Sequence, residues 1–354
     1  MRHLRPLLRW LHLALICVTL LSYLAPFISP KVFWPFAVLG LAYPLLLVLN
    51  LLFLLGWLLL KDRYTLFALA TILLGWSHLT ALIGFGGGKE ATAQQLNILS
   101  FNTYSLRVWK NPGKLASKEM VKTFFATHKI DVVCLQEYPK QPAHQQRIET
   151  ALEELGLKYS CQQKNKSLAI FSRFPIKKYK NHYFKNRSNG FQWADIALKT
   201  HSIRVFNLHL QSNAVTQTAN KLMEEGNLKE RSTWRNMRSM IGNYRRAAML
   251  RAGQAETIAQ ALAKSPHPVA LAGDFNEAPN SYVYQVLTQQ LNDAFQEAGR
   301  GIGVTYAGKL PGLRIDYILT DPRLPVADYH IFPSAFSDHK GVVTTLNVPR
   351  VELN

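Results

Sequence analysis

Hydrophobic residues are distributed unevenly along this chain of 354 residues. The N-terminal part contains three long apolar segments, at about residues 10–28, 36–60 and 64–85, and none of them carries a Lys, Arg, Asp or Glu. Each segment is close to or above the roughly 20 residues that a helix needs to cross a bilayer. We therefore predict that residues 1–88 form a membrane anchor of three transmembrane helices. The first segment also resembles a signal peptide, but no small-residue cleavage site follows it and two more apolar segments come next.

Basic residues around these segments predict how the anchor is oriented. Arg2, Arg5 and Arg9 precede or border the first segment, and Lys61 and Arg63 lie between the second and the third. The remaining short connection contains one basic residue only, at position 31. Because basic residues remain in the cytoplasm, the N-terminus is predicted to be cytoplasmic. Three crossings then place the rest of the chain on the extracytoplasmic face of the cell membrane, whereas two crossings would reverse this.

The hydrophobic pattern changes after the anchor. A Gly-rich run at 86–88 and the polar residues 89–95 are typical of a short flexible linker. From residue 96, short alternating or fully apolar runs such as LNILSFN (96–102) and VALAGD (269–274) predict strands, and residues 118–128 and 245–263 have helical periodicity. Strands occur both with and without intervening helices, so we predict one mixed α/β domain over residues 96–350.

The charge composition of this domain indicates which kinds of partner it would bind. Only six of the 41 basic residues and one of the 22 acidic residues lie in residues 1–88, so the remainder of the chain is strongly basic. This charge fits nucleic acid, anionic lipid or a phosphorylated substrate, and it also fits plain solubility beside a negatively charged membrane. The three cysteines show no CxxC spacing, which disfavours zinc. A Cys134–Cys161 disulfide stays open, although small buried side chains are the simpler interpretation.

Residues 213–253 form an unusually basic segment between two predicted strands, with Trp and Met residues interleaved. One interpretation is an arm near the site that meets phosphates or the membrane surface. The other is a solvated helix whose apolar side packs on the sheet. The sequence slightly favours the second interpretation.

Polar side chains stand at the ends of several predicted strands. They are Asn102 in SFN, Glu137 in LQE, Arg173 after LAIFS, His209 in NLHLQS, Asp274 and Asn276 in GDFN, Asp316 in RIDYIL, and Asp338 and His339 in SDH. Taken singly, most have a structural explanation, such as a turn-forming Asn or a core histidine. A buried Asp316 is harder to explain, because a buried carboxylate needs a partner such as histidine. Together, these residue types suit a hard divalent cation, a base for water and donors for phosphoryl oxygens.

The ordered series SFN, LQE, LAIFSRFPI, NLHLQS, GDFN, TY, RIDYIL and SDH resembles the endonuclease/exonuclease/phosphatase superfamily over about residues 95–348. This superfamily includes pancreatic-type deoxyribonuclease and neutral sphingomyelinases. The resemblance implies a four-layer α/β sandwich, in which two mixed sheets pack face to face and helices cover the outside. It also implies a hydrolase that uses a metal-activated water to attack a phosphodiester. Mg²⁺ is the expected cofactor, with Mn²⁺ and Ca²⁺ as alternatives.

The resemblance also implies roles for individual residues. The implied metal ligands are Glu137, Asn102 and Asp338, and the implied phosphate-binding residues are Asn102, Arg173 and Tyr306. The implied catalytic residues are His209, Asp274, Asn276, Asp316 and His339. In this scheme Asp274 orients or deprotonates water, and Asp316 fixes the tautomer of His339. Arg173 and Tyr306 each have a structural alternative: Arg173 lies just before Pro175, and Tyr306 packs in the domain.

The sequence leaves the substrate open. A nuclease-type activity fits the basic charge best, and a sphingomyelinase-like phospholipid phosphodiesterase or a phosphatase is the alternative. AP endonucleases have an acid two residues after the motif asparagine, whereas this chain has Tyr104, which weakens a DNA-repair function. An inactive phosphate-binding module would lack Glu137, Asp274 or His339, and all three are present. The expected partners are a phosphoester substrate, nucleic acid or a lipid head group, and the membrane lipids around the anchor; no obligatory protein partner is evident.

Overall fold

The computed structural model describes residues 4–90, 94–185, 188–199, 201–212, 230–308 and 312–348. The helices of these residues are α1 (Leu4–Ser22), α2 (Pro30–Phe33), α3 (Pro35–Leu59), α4 (Tyr64–Leu74), α5 (Trp76–Leu82), α6 (Lys118–Ala126), α7 (Pro142–Glu154), α8 (Arg231–Leu262), α9 (Tyr282–Thr288) and α10 (Ala294–Ala298). The first five belong to the apolar N-terminal part, and the others belong to the α/β domain that follows it.

The strands are mostly short. They are β1 (Ile83–Phe85), β2 (Gln95–Asn102), β3 (Arg107–Val108), β4 (Asn111–Leu115), β5 (Val132–Gln136), β6 (Tyr159–Gln162), β7 (Leu168–Ser172), β8 (Ile176–Tyr183), β9 (Gly190–Ala197), β10 (Ser202–His209), β11 (Val269–Asp274), β12 (Asn292–Asp293), β13 (Arg300–Ile302), β14 (Asp316–Thr320), β15 (Val326–Phe332) and β16 (Gly341–Asn347). Two six-stranded sheets contain most of them, in the orders β12-β14-β11-β10-β9-β8 and β15-β16-β2-β5-β7-β6.

Each sheet has one parallel pair at its centre, β10 with β11 and β2 with β5, and its other pairs are antiparallel. The sheets pack face to face through buried aliphatic side chains, among them Ile98, Val132, Ile196 and Val205. Helices α6 and α7 cover the outer face of the β2 sheet, and α8 and α9 cover the outer face of the β11 sheet. The predicted four-layer α/β sandwich is therefore confirmed.

A polar bridge crosses the apolar space between the sheets. Asn207 of β10 accepts a hydrogen bond from the side-chain amide of Gln136 at 2.7 Å and donates to the carbonyls of Leu135 and Ala169. Because buried polar groups are costly unless paired, this bridge specifies how the two sheets align. His209 is two residues after Asn207 on the same strand, so its side chain faces the same way at the sheet edge.

The apolar N-terminal helices pack on one another. Two of them, α1 and α3, are long and apolar enough to cross a membrane, and α4 with α5 makes a third span if the bent pair is counted as one. One end of this helical bundle consists of the start of α1 and the connection between α3 and α4. At this end Arg9 forms a 2.7 Å ion pair with Asp62. The α/β domain packs at the opposite end.

The third apolar segment differs from the predicted continuous helix over 64–85. It breaks between α4 and α5 with a bend of 66°, and its last three residues form β1. Tyr23 packs at this break: its hydroxyl donates to the carbonyl of Thr71 at 2.9 Å, and its ring fills the space where a side chain at Gly75 would stand. Gly75 lets Tyr23 approach this closely, and the helix changes direction there.

The described part of the predicted linker is bound to the domain. Strand β1 pairs with β13, the Gly86 amide donates to the Gly299 carbonyl, and the Lys89 amide donates to the Val326 carbonyl, both at 2.8 Å. The backbone groups of these residues therefore find partners on the domain, which the composition of a flexible linker does not predict. Residues 91–93 lie outside the described residues.

Three hydrogen bonds join the domain to the helix ends nearest to it. Asn280 donates to the carbonyl of Ser22 at 3.2 Å, Tyr244 to that of Ala37 at 3.0 Å, and Arg314 to that of Ala81 at 2.7 Å. These acceptors lie at the end of α1, the start of α3 and the end of α5. The domain therefore sits at the end of the bundle where α1 and α5 finish, opposite the Arg9–Asp62 pair.

The remaining differences from the sequence predictions are small. Helix α8 begins at Arg231, well before the start predicted at residue 245, because the basic segment continues the helix. Cys17, Cys134 and Cys161 are all unpaired, and the last two are buried, as small apolar side chains would be.

Candidate active site

The predicted polar residues meet at one edge of the two sheets because of strand direction. Asn102 ends β2 and Glu137 directly follows β5, and these strands are parallel neighbours. His209 ends β10 and Asp274 ends β11, which pair in register, and Asp316 begins β14 directly opposite Asp274. The face-to-face packing of the two sheets brings these strand ends together.

Asp274 is at the centre of this group and is 1% exposed. One carboxylate oxygen accepts a hydrogen bond from the backbone amide of Asn276 at 2.9 Å. The other accepts from the side-chain amide of Asn102 at 3.0 Å, and it lies 3.5 Å from Nε2 of His209 and 3.9 Å from Nε2 of His339. Burial raises the pKa of Asp274. The charge of Asp316 raises this pKa further, and the charge of His339 lowers it, but the net shift is upward. A carboxyl group with a raised pKa is a better base than an exposed one.

Asp316 and His339 form a buried pair. Nδ1 of His339 lies 2.9 and 3.0 Å from the two carboxylate oxygens of Asp316, so Nε2 is left to face Asp274. Burial by itself lowers the pKa of His339, but the carboxylates of Asp316 and Asp274 outweigh it and raise the pKa to about 10. His339 is therefore an imidazolium at neutral pH. The hydroxyl of Thr305 supports the pair by accepting from the Asp316 amide at 3.1 Å.

Glu137 stands in a strained backbone conformation, with φ at 48°. Its carbonyl accepts hydrogen bonds from the hydroxyls of Thr103 at 2.8 Å and Ser105 at 3.3 Å. Left-handed backbone is costly for a residue with a side chain and persists where surrounding contacts determine it. The loop after β2 thus fixes the Glu137 carboxylate, which lies 3.5 Å from the side-chain nitrogen of Asn102.

Asp338 lies near Glu137 and directly before His339. Burial raises the pKa of Asp338 to about 6; Glu137 adds to the rise, and the charge on His339 opposes it. One of its carboxylate oxygens is buried and makes no hydrogen bond within the described residues. The hydroxyl of Ser337 donates to the Asn102 carbonyl at 2.7 Å and accepts from the His339 amide at 3.1 Å, and so connects these two parts of the site.

Two groups in this site offer several ligand atoms to a cation. The ligand atoms of Asp274, Asp316 and His339 lie within 4.8 Å of one another, but the Asp316 carboxylate already pairs with the imidazolium. The second group offers oxygen ligands from Glu137, Asp338 and the Asn102 side chain. One buried carboxylate oxygen of Asp338 makes no hydrogen bond within the described residues. Oxygen donors of this kind suit a hard divalent cation, so the second group fits the implied metal better.

The structure separates Arg173 from the other predicted residues. Because β7 runs antiparallel to β5, Arg173 emerges at the opposite edge of the sheet from Glu137. There it binds the Asp131 carboxylate at 3.1 Å and the Ile130 carbonyl at 3.0 Å. These contacts support the structural alternative for Arg173, and its expected phosphate contact stays a prediction.

Asn276 and Tyr306 lie within the site. Asn276 has φ at 53°, and its side-chain amide lies 3.3 Å from the Leu210 carbonyl. The backbone of Tyr306 forms an isolated antiparallel β-bridge with His339. The centroids of the two rings are 5.6 Å apart, and the ring planes meet at 72°. Tyr306 thus packs against His339, and the Ala307 amide next to it donates to the Asp338 carbonyl at 2.7 Å.

A cleft of about 940 Å³ opens beside Glu137 and His209. Two basic side chains around it, Arg107 and Lys140, were not among the site residues predicted from the sequence. Arg107 follows β2 and Lys140 follows β5, so both come from loops that leave site strands. Their position directly after site motifs is the signal that could have identified them. They give the cleft positive charge that fits an anionic ligand.

Comparison with known proteins agrees with this geometry. The Endonuclease/Exonuclease/phosphatase family matches residues 96–339, which is more than half of the chain, so the chain belongs to this family. Members of the family are metal-dependent phosphoester hydrolases, and the chain is accordingly a hydrolase of phosphoester bonds. Residues 5–82 match a second family, which is described only as a domain of unknown function. No curated protein matches the chain.

Solved structures share the fold. D. rerio TDP2 complexed with single strand DNA product has a TM-score of 0.50 at 17% identity, covering 72% of this chain and 100% of its own. An endonuclease/exonuclease/phosphatase from Beutenbergia cavernae has a TM-score of 0.50 at 16% identity, covering 74% of this chain and 73% of its own. A third, from Bacteroides vulgatus, has a TM-score of 0.50 at 16% identity, covering 72% and 100%. At these identities the likeness shows the fold alone.

Proposed function

We propose that this protein is a membrane-anchored, Mg²⁺-dependent phosphodiesterase whose active site is centred on Asp274. The observation that carries the proposal is the buried Asp274 carboxylate, which is within 4 Å of Asn102, His209 and His339 at once. Glu137, Asp338 and Asn102 would hold the metal ion. A bound Mg²⁺ supplies positive charge to the phosphoryl oxygens and acidifies a coordinated water.

The residues of the chain have separate tasks in this proposal. Asp274 orients the attacking water and receives its proton, since its raised pKa makes it a stronger base. His339, kept charged by Asp316, presents Nε2–H to a phosphoryl oxygen as negative charge builds up there. Neither ring nitrogen of His209 makes a hydrogen bond within the described residues, so His209 is available to protonate the leaving oxygen. The Asn276 side chain adds a donor for the phosphate.

We propose that the α/β domain lies on the extracytoplasmic face of the membrane. It packs at the end of the helical bundle opposite Arg9, Lys61 and Arg63. Basic residues mark the cytoplasmic side. This arrangement fits three crossings, with α4 and α5 together returning the chain to the outer side.

Two substrate classes are supported by specific observations. A nuclease-type activity, which we rank first, is supported by the basic residues Arg107 and Lys140 beside the cleft. A phospholipid phosphodiesterase is supported by the short route from the site to the anchor. Glu277, three residues after Asp274, lies 3.4 Å from the hydroxyl of Tyr244, which donates to the carbonyl of Ala37 at the start of α3.

A substrate panel tests the proposal. The full chain in lipid nanodiscs is given plasmid DNA, single-stranded DNA, RNA and nanodisc phospholipids with Mg²⁺. Faster cleavage of nucleic acid supports the first candidate, and release of a lipid head group supports the second. If no phosphoester is cleaved under any of these conditions with Mg²⁺ or Mn²⁺, the proposal fails.

Metal affinity is expected to increase as the pH rises through about 6, because Asp338 must lose its proton before it binds a cation. Calorimetric titration with Mn²⁺ between about pH 5 and about pH 8 measures this dependence. Asp338→Asn should weaken binding and remove the pH dependence in this range. A wild-type affinity that stays constant over the same range would contradict the role given to Asp338.

A further inference from the structure

Helix α8 has two halves with different surroundings. It contains 32 residues and is about 48 Å long. The second half packs Ala255, Ile258 and Leu262 on the β11 sheet. The first half leaves the sheet; Tyr244 near its end and Ala248 just after it pack against Ala37 of α3. A sheet-packing helix needs only the second half, so the first half requires another explanation.

One face of the first half carries exposed basic and apolar side chains. Arg238, Ile241 and Arg245 are exposed, and they continue a line that begins at Trp234, which is 57% exposed. Their spacing of four, three and four residues puts them on one side of the helix. We call these four residues the α8 stripe. A merely solvated helix face has no need of Trp and Ile between its arginines.

The α8 stripe is continuous with the anchor. The guanidinium of Arg245 lies over the ring of Trp34, 5.7 Å from its centre, between α2 and α3. Lys31 of α2 forms a 2.6 Å ion pair with Glu256 further along α8. Next to these contacts Val32 is 82% exposed and Phe33 is 52% exposed. Helix α8 therefore runs beside the point where α3 begins.

We propose that the α8 stripe, together with Val32 and Phe33, lies in the head-group region of the membrane and binds anionic phospholipid. The apolar side chains enter the acyl boundary, while Arg238 and Arg245 bind lipid phosphates. Arginine suits this task because its planar fork pairs with two phosphate oxygens. The proposal rests on the membrane location given above, but it does not depend on the hydrolase activity.

This contact would fix the height of the active site above the lipid. In α8, just after the stripe, Arg251 binds Glu277 at 2.9 Å and the Gln211 carbonyl at 2.8 Å. Glu277 follows the Asp274 turn, and Gln211 lines the cleft. A lipid-bound α8 would thus hold one wall of the cleft at the membrane surface.

An environment-sensitive probe on α8 tests the contact. The exposed Cys17 is replaced by Ser, and an NBD fluorophore is attached to Ile241→Cys in the full chain; Cys134 and Cys161 are buried and remain. We expect a blue shift and higher intensity when nanodiscs contain phosphatidylglycerol instead of phosphatidylcholine alone. Ser239→Cys is the matched control, since Ser239 is exposed on another side of α8 and should keep water-like emission.

Charge variants complete the test. Adding Arg238→Gln and Arg245→Gln should remove most of the shift that depends on phosphatidylglycerol. The proposal is overturned if the probe at 241 stays water-like in both lipids, or if 239 and 241 respond equally. It is also overturned if the charge variants keep the full shift and instead lose affinity for short DNA, because the stripe would then bind nucleic acid. None of these readouts uses catalysis, so failure of the hydrolase proposal is distinguishable.

Discussion

Replacing Asp274 with Asn is expected to reduce phosphoester hydrolysis by about 10³-fold, the usual contribution of a well-placed general base. Asn has nearly the same shape, but its single side-chain oxygen can keep only one of the two hydrogen bonds that Asp274 accepts, from Asn102 or from the Asn276 amide. It has no basic oxygen for the water proton, however, and it takes a negative charge away from His339. Steady-state rates of the purified full chain with Mg²⁺ measure the loss.

A surface carboxylate provides the control for this substitution. Glu154 pairs with Lys122 on the outer helices, and its side chain is 49% exposed. Glu154→Gln should keep wild-type activity and stability, as exposed ion pairs contribute little. If Asp274→Asn unfolds at the wild-type temperature and retains full activity, the assignment of Asp274 is incorrect.

Replacing Arg251 with Met is expected to destabilise the domain by about 3–5 kcal/mol. The Arg251 and Glu277 side chains are 0% and 4% exposed, so loss of the cation leaves a buried carboxylate without its counter-charge. The same change removes the hydrogen bond to the Gln211 carbonyl. A lower thermal unfolding midpoint in identical nanodiscs is the measurement.

A second substitution separates charge from packing. When Glu277→Leu is added to Arg251→Met, no unpaired charge remains, and most of the lost stability should return. Lys122→Met, on the exposed pair with Glu154, is the matched surface control and should have little effect. An Arg251→Met variant as stable as the wild type would show that the buried pair does not hold α8 to the Asp274 turn.

The sequence predicted the fold class, and it also singled out most of the polar residues that the structure brings together, because both depend on local pattern. A buried strand that ends in a polar residue is visible in VALAGDFN and DVVCLQE, and the ordered motifs identified the family. The roles of these residues stay predictions, although the structure brings Asn102, Glu137 and Asp274 together.

Arg173 shows where local pattern fails. Its motif also follows a strand, but β7 runs in the direction opposite to β5, and strand direction is set by sheet pairing rather than by the residues near Arg173. Arg251 shows the same limit differently. It looked like one of many basic residues in its segment, and only its distant partner Glu277 makes it a buried structural residue.

The anchor was predicted less completely for a related reason. Composition reveals an apolar segment, but the bend at Gly75 is packed against Tyr23, a residue about 50 positions earlier in the chain. The Gly86–Gly88 run looked flexible because its partners, Gly299 and Ala327, lie far away in the sequence. Contacts between distant segments decided both features.

Hydrolysis of a chromogenic phosphodiester tests the central claim most directly, because it needs no knowledge of the natural substrate. The full chain in nanodiscs is assayed with bis(p-nitrophenyl) phosphate, beside Glu137→Gln, before and after chelation. We predict turnover by the wild type that stops on chelation, returns with Mg²⁺ and is largely lost in Glu137→Gln. Turnover that survives chelation, or that is equal in Glu137→Gln, would contradict a metal-dependent site at Glu137.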